Sequence, residues 1–144
     1  NQIENIDPNF VSLERDILEF NLIKYSTENL FPIIGVCRGM QILNYFYKGY
    51  LVKVEGHENQ MVKLENTTRE FKYDKFVNSY HKRAITINSI SDELNALATS
   101  NNVIKALKHK KFPHYGIMWH PERNNPFSED DISLFKNIFN KNDL

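Results

Sequence analysis

The chain opens its legible pattern with apolar residues at helical spacing. Phe10, Leu13, Ile17, Phe20, Leu22-Ile23 and Tyr25 recur with the period of one helix face, which predicts a helix from Phe10 to about Lys24 behind an Asp7-Pro8-Asn9 turn. Glu14, Arg15, Asp16 and Glu19 are expected on its wet face. Phe31-Pro32-Ile33-Ile34-Gly35-Val36 is short and almost wholly apolar, the mark of a strand buried on both faces of a parallel sheet. Arg38 to Tyr47 returns to helical spacing, with Met40, Ile42, Leu43 and Phe46 available for packing.

The remainder reads as short strands over 51–54, 61–64, 76–80, 84–87, 103–107 and 115–119, each alternating or apolar. Lys108 to Pro113 separates the last two as a basic hairpin turn. Ser128 before Glu129-Asp130-Asp131 supplies a cap and an acidic first turn for a final helix. Its Ile132, Phe135, Ile138 and Phe139 are expected to face the core. Helix, buried strand, sharp turn and helix together predict an α/β sandwich, a mixed sheet with helices on both sides.

Composition narrows the function classes. Eighteen basic residues balance eighteen acidic ones, so the total charge carries no footprint for nucleic acid or an anionic membrane. No run approaches the ~18 apolar residues of a membrane span. The single cysteine, Cys37, rules out an internal disulfide and favours a reducing, cytoplasmic setting. The chain begins at Asn1 with a polar segment and no initiator Met, which raises the expectation of a truncated domain.

A lone cysteine is usually a buried small hydrophobe. Here Gly35-Val36-Cys37-Arg38-Gly39 sets glycine two residues to either side of it, between a strand and a helix. This is the cysteine form of a nucleophile elbow. The tight turn is expected to demand glycine at both flanks. It would lift the sulfur above the carboxyl edge of the sheet and aim a helix N-terminus at it, lowering the thiol pKa. The Arg38 N–H would face the same space and could donate to an oxyanion.

His120-Pro121-Glu122 follows the last strand. A histidine at a strand end is most often structural. If extended geometry persists through Pro121, however, His120 and Glu122 point the same way, and the carboxylate can hold one imidazole nitrogen while the other turns to Cys37.

With these residues in place, the chain resembles the class I glutamine amidotransferase superfamily. The marks are Gly35-Val36-Cys37-Arg38-Gly39-Met40-Gln41 and the distal His120-Pro121-Glu122. Arg15-Asp16-Ile17-Leu18-Glu19 and Val77-Asn78-Ser79-Tyr80-His81 resemble its γ-glutamyl hydrolase branch, especially the γ-glutamyl-γ-aminobutyrate hydrolase-like proteins. The resemblance implies a flavodoxin-like three-layer sandwich on a mixed, largely parallel sheet. It implies Cys37 as nucleophile, His120 as general base then acid, and Glu122 as orienter. Gln41, Ser79 and Tyr80 become substrate-binding candidates, with Arg38 and His81 beside them; Gly35 and Gly39 shape the elbow.

The implied reaction cleaves a γ-glutamyl amide through a thioester, without cofactor or metal, on a small-molecule substrate. The leaving amine stays open among a small amine, an amino acid and a nucleotide-linked amidate. Two other readings stand: a glutaminase subunit that delivers ammonia to a synthetase, and a catalytically silent α/β module. Lys48-Gly49-Tyr50 departs from the paired glycines usual after the elbow helix. The superfamily also begins with further strands and a glycine-rich loop bearing a second oxyanion donor. Residues 1–144 are therefore expected to be the C-terminal portion of one such domain. His57 and His81 are equally good as pocket or structural residues. The five histidines lack helical pairing for a metal.

Overall fold

The computed structural model describes residues 13–69, 71, 73 and 76–140. Helix α1 covers Leu13–Asn29, strand β1 Ile33–Val36 and helix α2 Arg38–Phe46. There follow β2 (Val52–Lys53), β3 (Glu58–Lys63), β4 (Glu65–Asn66), β5 (Phe76–Tyr80), β6 (Arg83–Ala84), β7 (Leu94–Ser100), β8 (Val103–His109) and β9 (His114–Ile117). A 3-10 turn at Pro121–Arg123 and helix α3 at Glu129–Phe139 complete the order. The expected first turn near Phe10 lies outside the described residues.

The main sheet has the order β1-β9-β8-β7-β4. β1 and β9 run parallel, with Ile33 opposite His114 and Val36 opposite Ile117. The β9–β8, β8–β7 and β7–β4 pairings are antiparallel, so among the described residues the parallel character rests on β1 and β9. Two antiparallel ribbons, β2–β6 and β3–β5, flank this sheet.

Each face of the sheet carries its own core. Met40, Ile42 and Leu43 of α2 pack with Ile23, Ile85, Ile104, Leu107 and Met118. Gly116 lets α2 approach, since a Cβ there would stand 2.7 Å from Met40 Cγ and 3.0 Å from Leu107 Cδ1. The opposite cluster gathers Val62, Leu64, Val77, Ala106, Ile117 and Trp119, with Leu134 and Phe135 of α3 against it. The α/β sandwich with helices on both sides follows from these two clusters.

Four sequence expectations need correction. Strand β7 was not foreseen: Leu94-Asn95-Ala96-Leu97-Ala98 has no β-branched residue, and its extended form comes from pairing with β8, through register shifts at Ala96 and Ala98. Asp16 is not on a wet face but fully buried, in an ion pair with Arg38, because α1 packs against the start of α2. Phe139 is 48% exposed, and Ile138 is the residue of the last turn that enters the core. The hairpin turn is shorter than expected, since β8 continues to His109. The cap at Ser128 is as expected: its side chain accepts from the Asp131 N–H.

Candidate active site

β1 and β9 are parallel neighbours, so their carboxyl ends share one edge of the sheet. Cys37 is the first residue past β1, and its N–H donates to the carbonyl of Ile117, the last residue of β9, at 2.7 Å. His120 follows three residues later. The sequence separation between the two motifs is thereby closed by one parallel pairing.

The elbow is strained at its apex. Cys37 has φ 51° and ψ −102°, a left-handed conformation costly for a residue with a side chain, of the kind that collects at functional sites. Gly35 makes the turn possible. A Cβ there would stand 2.4 Å from Gly39 C and 2.6 Å from Met40 N, both backbone atoms that cannot move aside. Gly39 differs from expectation. Among the described residues, a Cβ at Gly39 meets nothing within 4 Å, so the steric demand for glycine falls on one flank of the elbow.

Cys37 is half-buried. Burial pushes its thiol up from the ordinary value, against the opposing pulls of the Arg38 N–H and the charges of Arg123 and Lys105, while Glu122 adds to the upward push. The helix-terminal lowering read from the sequence is present, through Arg38, but burial outweighs it. A base is therefore needed to draw the proton off.

His120 Nδ1 lies 2.6 Å from Glu122 Oε1. The route between them is not the extended one expected. His120 is extended, at φ −107° and ψ 91°. Pro121 then opens a 3-10 turn, a position where a residue without an N–H loses no hydrogen bond. That turn swings Glu122 back under the imidazole. Burial disfavours the Glu122 carboxylate, but the hydrogen bond with His120, its own backbone N–H and the charges of His120 and Arg123 prevail, and its pKa is lowered. The His120 backbone is anchored as well: Asn78 Oδ1 accepts from the His120 N–H at 2.7 Å, and Asn78 Nδ2 donates to the His120 carbonyl at 2.9 Å.

The remaining candidates divide. Tyr80 is 40% exposed, its ring edge-on to His120 at 6.1 Å and its face under the Arg123 guanidinium at 4.1 Å. The Gln41 side chain donates to the Arg83 carbonyl at 2.9 Å, holding the start of β6. The Arg38 guanidinium is engaged by Asp16 and Glu19 of α1. Ser79 and His81 are buried, the hydroxyl donating to the His57 carbonyl at 2.8 Å and accepting from Lys105 at 3.0 Å. For these four, the side chains serve internal contacts. Asn78, Lys105 and Arg123 were not singled out from the sequence. The signal was present in part: Asn78 and Lys105 are polar residues inside runs of apolar ones. Among the described residues no group of three or more His, Cys, Asp or Glu could hold a metal ion, and no helix is long and apolar enough to cross a membrane.

The Peptidase C26 family model matches residues 2–122. The chain belongs to the peptidase C26 family. It thus falls among the class I glutamine amidotransferase-like proteins, as the elbow and His-Pro-Glu motifs imply. It is similar to a gamma-glutamyl-CDP-amidate hydrolase of Campylobacter jejuni, with 31% identity over 141 residues, covering 96% of this chain and 66% of that protein. It is similar also to a glutamine-hydrolyzing GMP synthase subunit of Methanothermobacter thermautotrophicus, with 29% identity over 134 residues, covering 89% of this chain and 68% of the other.

Among solved structures, a glutamine amidotransferase from Thermotoga maritima superposes with a TM-score of 0.65 at 20% identity, over 89% of this chain and 56% of that one. One from Methylobacillus flagellatus gives 0.64 at 17%, over 90% and 52%. At that identity the likeness establishes the shared fold. This C26 chain spans about two thirds or less of the length of the first curated relatives it matches.

Proposed function

We propose that this protein is a cysteine amidohydrolase that cleaves a γ-glutamyl amide bond, with Cys37 as nucleophile, His120 as base and acid, and Glu122 as orienter. The observation that carries the reading is the parallel β1–β9 pairing, with Cys37 directly after one strand and the His120–Glu122 pair just beyond the other. Membership of the C26 family and similarity to a gamma-glutamyl-CDP-amidate hydrolase support the choice of bond.

In this mechanism His120 takes the Cys37 proton, and the thiolate forms a C–S bond to the amide carbonyl carbon. The Arg38 N–H at the elbow donates to the oxyanion. The imidazolium returns its proton to the amine nitrogen as the C–N bond breaks, leaving a γ-glutamyl thioester. Water, deprotonated by His120, attacks the thioester, and the C–S bond breaks to give glutamate and the free thiol. Glu122 holds the imidazole in the tautomer and orientation that both transfers require. Residues 1–144 act, in this reading, as the C-terminal portion of one such domain, in keeping with the span of the relatives they match.

Similarity to the GMP synthase protein favours a second reading, a glutaminase that hands ammonia to a synthetase partner. Two measurements on the complete protein decide. The glutamine-like electrophile 6-diazo-5-oxonorleucine should label Cys37 stoichiometrically, and Cys37→Ala should abolish glutamate release from γ-glutamyl amides. Turnover without any partner supports the hydrolase; turnover only with an added synthetase supports ammonia delivery. Folded protein that takes up no label would overturn both.

A further inference from the structure

One buried basic side chain is not used by the mechanism above. Lys105 of β8 is 1% exposed. Its Nζ lies 3.1 Å from His57 Nδ1, 3.0 Å from Ser79 Oγ and 2.7 Å from His81 Nε2. We propose that Lys105 is a positioning residue for the Cys37 sulfur: a buried ammonium, fixed on His57, Ser79 and His81, whose charge stabilises the thiolate instead of being cancelled by a carboxylate. The inference rests on the reading of Cys37 as the nucleophile.

The hydrogen bonds accommodate an ammonium. His81 Nδ1 faces the Arg83 carbonyl at 2.9 Å and must carry a proton to donate to it, so Nε2 is an acceptor. The Ser79 hydroxyl gives its proton to the His57 carbonyl, so its oxygen accepts from Lys105. An ammonium has three donors, enough for His81 Nε2, Ser79 Oγ and an unprotonated His57 Nδ1. A neutral amine, with two donors and a lone pair, would match the same contacts only if His57 Nδ1 carried a proton. Burial first, then Lys105 and His57, push the His81 pKa down to about 3. The imidazole therefore remains a neutral acceptor at any physiological pH.

No carboxylate joins this cluster among the described residues. Burying an ammonium among neutral partners is costly, and an apolar residue would fill strand β8 without that cost. The charge has a recipient nearby. The Lys105 carbonyl accepts from the Met118 N–H at 2.8 Å, while the Cys37 N–H donates to the Ile117 carbonyl at 2.7 Å. The backbones of Cys37 and Lys105 are thus bonded to successive residues, Ile117 and Met118, of one chain segment. Each feels the other's charge: Lys105 favours the thiolate, and the thiolate favours the ammonium. The other groups acting on the sulfur are the Arg38 N–H and Arg123, which help the thiolate, and Glu122, which opposes it. Burial pushes Lys105 down to about 8, so the charge is present at neutral pH and is lost just above it.

The test is the pH dependence of Cys37 alkylation by iodoacetamide, which reads thiol acidity whether or not the protein turns over substrate. Lys105→Gln retains donors for the imidazoles but removes the charge. It should raise the midpoint of the profile by about one pH unit, roughly a tenfold slower reaction at neutral pH, and Lys105→Arg should return it toward the wild type. A folded Lys105→Gln whose profile superimposes on the wild type overturns the proposal, since a purely structural lysine would not move the midpoint. A second variant supplies an independent readout. In the wild type the rise in reactivity should begin at lower pH than in the Lys105→Met variant, which also lacks the charge; a folded Lys105→Met with the wild-type profile overturns the proposal. If Cys37→Ala still releases glutamate, the assignment of the nucleophile fails instead, and the alkylation profile still reports on Lys105.

Discussion

The carboxamide of Asn78 brackets the backbone of His120, accepting from its N–H at 2.7 Å and donating to its carbonyl at 2.9 Å. One buried side chain on β5 thereby fixes the position from which the imidazole projects, while Glu122 fixes its rotation. Small misplacements of a general base are expensive in rate. Asn78→Asp keeps the acceptor and loses the donor, and is expected to lower kcat by about 10- to 100-fold with little change in KM. Steady-state kinetics on a γ-glutamyl amide, beside a circular dichroism spectrum, checks this.

The two elbow glycines should respond unequally to alanine. At Gly35 the new methyl would stand 2.4–2.6 Å from the backbone of Gly39 and Met40, and the cost is expected at about 2–3 kcal/mol, with loss of thiol reactivity as the turn opens. At Gly39 the methyl enters open space on the first turn of α2, and the change should stay within about 0.5 kcal/mol of neutral. Urea unfolding of both variants measures the asymmetry.

Arg38 follows the nucleophile, yet its guanidinium joins Asp16 and Glu19 across the α1–α2 contact. Removing one partner of a buried pair leaves the other charge without compensation. Arg38→Met is accordingly expected to destabilise the fold by about 3–5 kcal/mol. The double variant Arg38→Met/Asp16→Leu should regain much of that loss. A substrate-binding role for the side chain would instead appear as a raised KM at unchanged stability.

His114, fully buried on β9, is satisfied as a neutral ring: Nε2 meets Ser26 Oγ at 2.9 Å and Nδ1 meets the Tyr47 hydroxyl at 2.8 Å. Burial, then His109, push its pKa down to about 4 from 6.5. The unfolded chain thus binds the proton more readily, and the stability tied to the neutral ring is present above pH 6.5 and lost as pH falls toward 4. The loss should be on the order of 3 kcal/mol. Thermal melts from neutral to mildly acidic pH should show the decline, and His114→Gln should flatten it.

Much of the candidate site was legible because its signals are local. A glycine two residues before Cys37 is a steric requirement of one tight turn, and Pro121 beside His120 restricts the neighbouring backbone, so both leave their mark in consecutive residues. Helix α2, the cap at Ser128 and the apolar run of β1 were readable for the same reason: periodicity and capping act within a few residues. The family resemblance was carried by those same motifs.

What tertiary structure alone decided involves partners far apart in the chain. β7 is a strand because β8 lies beside it, and its own residues have little preference for that form. Asp16 is buried because Arg38 meets it there. Lys105 reads as one polar residue in an apolar strand until His57, Ser79 and His81 close around it, and Asn78 as an ordinary strand residue until His120 comes to rest against it. Burial and electrostatics depend on what the fold brings near, and so does the acidity of Cys37, where desolvation outweighs the helix-end effect that the sequence foretold.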